Sequence, residues 1–125
     1  MILDAGPLID VDRNRRRLAA LVRVALDRGE SLITTEAIVA QVWRGPTQAN
    51  LASALKAIEV VDRFGDGRKI GELLAASGTS DSIDAHLVIL ARSLRLPVLT
   101  ADADDFARLA AVLPIEVVRW TGASR

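Results

Sequence analysis

The chain has 125 residues, 16 acidic and 16 basic side chains and 50% hydrophobic residues, enough apolar material for one core, so a single domain over residues 1–125 is expected. It contains no cysteine and one histidine, which excludes disulfides, a thiolate nucleophile, Cys-ligated zinc and multi-His metal sites and leaves oxygen to hold any metal. A formal net charge of zero provides no overall field toward nucleic acid, so such binding needs local patches. No apolar run approaches the roughly 20 residues that span a bilayer, and Met1-Ile2-Leu3 meets Asp4 too soon for a signal peptide, so a cytoplasmic protein without membrane association is expected. Of the 16 basic residues 14 are arginine; the cluster Arg13, Arg15, Arg16 and Arg17 suits phosphate contacts or a solvated helix face.

In chain order, Met1 to Asp4 reads as a short buried strand ending in a carboxylate, followed by a turn at Gly6-Pro7. Leu18, Leu21, Val22, Ala25 and Leu26 have helical spacing within about Arg15–Arg28, and Gly29 stops that helix. Ser31 to Thr34 reads as a second strand. Thr34 or Thr35 then caps a helix running to about Trp43, with Gly45-Pro46 ending it. Further helices are expected over Gln48–Ala57 and Gly67–Ala76, with the β-branched run Ile58–Val61 between them. The next helix spans about Ser82 to Leu94, with Ile83, Leu87, Leu90, Ala91 and Leu94 on one side, and leads through Pro97 into the strand Val98-Leu99-Thr100. A helix over Asp105–Val112 and a strand over Ile115–Val118 complete the pattern. Such alternation predicts an α/β fold, and ligands of α/β sheets bind at the carboxyl ends of the strands.

Two acids, Asp4 and Asp102, directly follow strands, and a third, Asp84, lies in the first turn of the helix before the Val98 strand. Carboxylates within about 5 Å repel by roughly 3 kcal/mol per pair at an effective dielectric near 20, so a fold that gathers them calls for a cation. Mg²⁺ is held by a few carboxylates and waters, and such an ion activates water and stabilises the oxygens of a phosphodiester under attack. The helix-starting acids also have structural uses: Asp81 as an N-cap, Asp84 beside the helix dipole, and Asp102, Asp104 and Asp105 as the opening of the last helix. Asp4 caps no helix evident from the pattern.

The segments Ile2-Leu3-Asp4, Asp84-Ala85-His86-Leu87-Val88-Ile89-Leu90-Ala91 and Val98-Leu99-Thr100-Ala101-Asp102 resemble the opening, the third-acid helix and the fourth-acid strand end of PIN domains, especially VapC-type toxins. The 18-residue step from Asp84 to Asp102 also fits. This resemblance implies a PIN-like three-layer α/β/α domain with a central, mainly parallel sheet. It further implies a Mg²⁺- or Mn²⁺-dependent endoribonuclease with Asp4, Asp84 and Asp102 as metal-holding catalytic acids, acting on RNA as a homodimer restrained by a cognate antitoxin.

The chain departs from that pattern at the second acid, normally a glutamate in the second helix, where Gln41 stands. Glu36 does not replace it, because five helical positions turn the two side chains roughly 140° apart. Asp81, three residues before Asp84, is a better compensating acid, so Asp81 and Gln41 are secondary ligand candidates. Asp4-Ala5-Gly6 also lacks the hydroxyl that many relatives place two residues after the first aspartate, whereas Thr100 is available to a carboxylate or a water. His86 points away from Asp84, Trp43 and Trp120 suit the core or a subunit interface, and Arg44 either touches RNA phosphate or caps carbonyls. The rival functions are a PIN protein that binds RNA or an antitoxin without cutting and a phosphoacceptor receiver domain. A receiver requires a lysine after its fifth strand, and neither Lys56 nor Lys69 lies at such a place.

Overall fold

The computed structural model describes residues 1–121. Five short runs of apolar and β-branched residues form the strands β1 (Ile2–Leu3), β2 (Ile33–Thr35), β3 (Glu59–Val61), β4 (Val98–Thr100) and β5 (Val117–Arg119). They make one sheet in the order β3-β2-β1-β4-β5. Where a mainly parallel sheet is expected, every pairing is parallel. A helix follows each of the first four strands, so no hairpin brings an antiparallel neighbour. The central strands β1, β2 and β4 are buried throughout, as parallel strands covered on both faces must be.

Seven helices are present among the described residues: α1 (Ala5–Arg13), α2 (Arg15–Arg28), α3 (Glu36–Val42), α4 (Ala49–Lys56), α5 (Gly67–Ser77), α6 (Ser82–Leu94) and α7 (Ala103–Val112). The chain steps from β1 outward through β2 to β3, then returns past β1 to β4 and β5. Right-handed crossovers in these two directions put α1–α4 on one face and α5–α7 on the other. The helices pack in those same two groups, giving three layers, α/β/α. The core runs from Met1, Ile2 and Leu3 through Leu8, Leu21, Ile38 and Leu51 on one side to Leu87, Val88, Phe106 and Leu109 on the other.

The sequence reading errs most at Gly6-Pro7, where α1 stands instead of a turn. Asp4 occupies its N-cap position, which puts Pro7 at the third helical residue. There a missing N–H costs nothing, because the first four amides of a helix have no partner within it. Pro7, Leu8 and Val11 form the buried face. Asn14 ends α1 and opens α2, its side chain accepting from the Arg16 amide at 2.9 Å. Elsewhere the differences are shifts of boundary. β2 extends to Thr35, whose hydroxyl caps α3 through the Ile38 amide at 3.2 Å, α7 begins at Ala103, and β5 lies at Val117–Arg119. The expected Ser82–Leu94 helix matches α6.

Gly6 has a steric purpose. A Cβ there would stand 2.6 Å from the Cβ of Ala101, in the turn between β4 and α7, so the hydroxyl residue common at this place in the pattern has no room. Gly6→Ala is expected to force the two turns apart and destabilise the fold by about 1–3 kcal/mol, read as a lower denaturant midpoint at unchanged slope. The exposed Gly71→Ala, in a helix with nothing near the new methyl, is the control and is expected to be neutral or stabilising.

Candidate metal centre

β1 is the strand at which the direction of the chain's progress across the sheet reverses, its neighbours being β2 and β4. Crevices at the carboxyl ends of strands at such a switch point are where α/β folds bind ligands. Asp4 follows β1 and Asp102 comes two residues after Thr100, the last residue of β4. The register pairs Leu3 with Leu99, so the next step brings Asp4 alongside Thr100. α6 runs back along the sheet toward the start of β4, placing its N-terminal turn, with Asp81 and Asp84, at that same edge.

Thr100 ties the two strand ends together. Its hydroxyl, fully buried, donates to Asp4 Oδ2 at 2.7 Å and accepts from the Asp102 backbone amide at 2.9 Å. Asp4 and Asp102 stand at the N-cap positions of α1 and α7, yet neither carboxylate makes a capping hydrogen bond. Asp81 behaves differently: it is the N-cap of α6, outside the helix, and its Oδ1 accepts from the amides of Ile83 at 2.9 Å and Asp84 at 3.0 Å. Only its second oxygen is free of this capping.

The electrostatics bear the mark of crowding. Burial pushes the Asp84 carboxyl up to about 7, helped by the negative charges of Asp81, Asp4, Asp105 and Asp102. Burial also raises Asp4, with Asp102 and Asp81 adding to the rise, while the Thr100 hydroxyl and the Ala5 amide oppose it. Among the described residues the ion pairs are Met1–Glu30, Arg28–Glu30, Arg28–Glu116 and Arg119–Asp104. None of these pairs involves Asp4, Asp81, Asp84, Asp102 or Asp105.

Among the described residues no three acidic or histidine side chains stand close enough together to hold one ion at once. The acids feel one another's charge without closing around a point. Such a donor set still fits Mg²⁺ or Mn²⁺, hard cations that take oxygen ligands; Mg²⁺ in particular needs only one or two carboxylates and keeps several of its waters. One or two of Asp4, Asp84 and Asp102 would hold such an ion directly, its waters reaching the rest.

Gln41 is exposed in the last turn of α3. Arg44 caps the end of α3, its Nη1 donating to the carbonyls of Ala40 at 3.2 Å and Trp43 at 2.7 Å. Trp43 packs against the core, and the indole of buried Trp120 donates to Asp10. His86 is buried on a different side of α6 from Asp84, against Phe64. Asp105, read from the sequence only as a helix opener, is an additional charge on Asp84. Its signal was the three-residue spacing from Asp102, which puts both acids at the start of one helix on neighbouring sides.

The raised value of Asp84 sets a pH dependence. Because its carboxyl is held near 7 in the fold against about 3.9 in an unfolded chain, its contribution to stability is fully present below about pH 4 and is lost as pH rises through about 7. Without divalent ions, Asp84→Asn is therefore expected to raise the melting temperature at pH 8 more than at pH 5. Thermal melts in EDTA at the two pH values check this; equal shifts would show that Asp84 ionises normally.

No curated protein matches the chain. Residues 1–112 match the PIN domain, a family whose members are generally metal-dependent nucleases. The switch-point acids, the all-parallel five-stranded sheet and this match over most of the chain agree: the protein belongs to the PIN domain family.

Proposed function

We propose that this protein is a Mg²⁺- or Mn²⁺-dependent endoribonuclease, carried by one domain over residues 1–125, with Asp4, Asp84 and Asp102 as its metal-holding acids. The observation that carries this reading is the set of unpaired aspartates at the switch point, one of them held near 7 by burial and by four like charges. A divalent cation bound there supplies an activated water and neutralises charge on the phosphate oxygens of the strand being cut. The residues do the positioning. Thr100 fixes the Asp4 carboxylate and the Asp102 backbone relative to each other. Gly6 lets α1 and the turn after β4 approach, and Asp81 and Asp105 add negative charge that strengthens the pull on a cation. Arg44 has donors beyond the carbonyls it caps, and these suit an RNA phosphate.

The finer placement, a VapC-type toxin acting in the cytoplasm as a homodimer and restrained by an antitoxin, is supported by the likeness of the Asp4, Asp84 and Asp102 segments to that group. A second reading, a PIN protein that binds RNA or an antitoxin without cutting, is favoured by Gln41. An amide coordinates a cation without offsetting its charge, so affinity falls relative to a glutamate at that place. Gln41→Glu is expected to tighten Mn²⁺ binding, measured by calorimetry. If Asp81 already supplies that charge, the gain appears only when Asp81→Asn is added, and the double-mutant comparison separates the two cases. Unchanged affinity in both backgrounds would place Gln41 outside the site.

The test of the nuclease reading is incubation of the pure protein with a mixed RNA pool, with Mn²⁺ or with EDTA, beside Asp4→Ala. Cleavage that needs Mn²⁺ and disappears in the variant is the expected result. Metal-dependent RNA retention without cleavage would favour the second reading, and neither cleavage nor binding would overturn both.

A further inference from the structure

The chain has two phenylalanines. Phe106 is fully buried, as its size demands, but Phe64 is 46% exposed in the segment between β3 and α5. That segment leaves the sheet at the carboxyl ends of the strands, the edge that carries Asp4 and Asp102. β3 lies two places from β1 in the sheet, and strands are about 4.8 Å apart, so the segment starts roughly 10 Å from the start of the acid site. Phe64 is supported from beneath. Its ring packs on buried His86 with centroids 5.3 Å apart and planes tilted by 52°. The next residue, Gly65, adopts φ +90°, and a Cβ there would come within 3.3 Å of His86 Nε2. His86 is two residues from Asp84 on α6, so the support of the ring and one of the acids share a helix.

A notch of about 90 Å³ opens beside the ring, and its charged lining is Glu36, Asp62 and Arg63. Two acids against one arginine leave it net negative, which disfavours a phosphate and leaves the uncharged base as the part of a nucleotide that suits the place. An exposed ring held rigidly from below is what an unpaired base needs for stacking.

We infer that Phe64 is a stacking platform for an unpaired base of the RNA strand whose backbone runs over the aspartate edge. The inference rests on the nuclease reading and adds to it a substrate-positioning residue outside the acid cluster. Removing such a ring costs about 5- to 150-fold in affinity, the fold-change equivalent of the usual range for base stacking.

The experiment measures binding of a fluorescent 12-nucleotide single-stranded RNA by anisotropy in EDTA, and its cleavage in Mn²⁺, for the unaltered protein, Phe64→Ala, Phe64→Leu and Phe64→Trp. The expected result is weaker binding and a higher KM for the alanine and leucine variants at nearly unchanged kcat, with Phe64→Trp binding as well as the unaltered protein and its new indole quenched by RNA. Phe64→Leu keeps apolar bulk without a π face, so full binding by that variant overturns stacking. Unchanged affinity in Phe64→Ala overturns the platform while metal-dependent cleavage by the unaltered protein leaves the nuclease reading standing. A shift in sedimentation of Phe64→Ala without loss of RNA affinity would assign the ring to a protein contact and also overturn it. Failure of the unaltered protein to bind or cut any RNA overturns both.

Discussion

β1 has only two residues, Ile2 and Leu3, but it pairs with β2 through Ile2 and Ile33 and with β4 through Leu3 and Leu99. That central parallel pairing is the constraint from which the site follows. It fixes where the first aspartate can go: the residue after Leu3 must sit beside the residue after Leu99. With Thr100 there, a buried hydroxyl meets the Asp4 carboxylate and also receives the Asp102 amide. A one-residue slip would break the Thr100–Asp4 contact and turn the strand's side chains to the opposite faces. The close approach of Gly6 to Ala101 then locks the helix that follows β1 against the turn that follows β4.

The two edges of the sheet treat charge in opposite ways. At the amino edge the Met1 amine pairs with Glu30, and Arg28 reaches both Glu30 and Glu116, so charges there are matched within the chain. At the carboxyl edge Arg119 reaches Asp104, but Asp4, Asp81, Asp84, Asp102 and Asp105 have no ion-pair partner among the described residues, and burial together with like charge lifts Asp84 to about 7. Negative charge placed this way opposes folding, and perturbed carboxyls of this kind concentrate where a protein does chemistry. A cation bound only by the folded state relieves that repulsion, and by mass action it stabilises the fold by about 2.7 kcal/mol when free ion exceeds its dissociation constant a hundredfold.

Much of this was legible in the residues because the periodicities are clean. The helix from Ser82 to Leu94, the stop at Gly29 and the strand Val98–Thr100 follow directly from spacing and punctuation. α1 was hidden because Gly6-Pro7 has the composition of a turn, while a proline in the first turn of a helix costs no hydrogen bond. Missing that helix had a consequence at the site: Asp4 caps no helix in the sequence reading, although it occupies an N-cap position without using its side chain there. Thr100 is legible from the sequence as available to a carboxylate, but that the carboxylate is that of Asp4 depends on register between strands 96 residues apart, which no local pattern contains. Asp105 and Phe64 were missed for the same reason, since their neighbours, Asp84 and His86, lie on another element.

The claim on which the account turns is that the folded chain holds Asp84 partly protonated near neutrality until a divalent ion takes the place of the proton. The direct measurement is a carboxyl ¹³C NMR titration of Asp84 in the full chain, with EDTA and with saturating Mg²⁺, assigned through the Asp84→Asn variant. The account predicts a midpoint near 7 without metal and a fall of at least two pH units with it, because metal binding to a carboxylate competes with the proton. A midpoint near 4 in EDTA, or one that Mg²⁺ leaves in place, would contradict it.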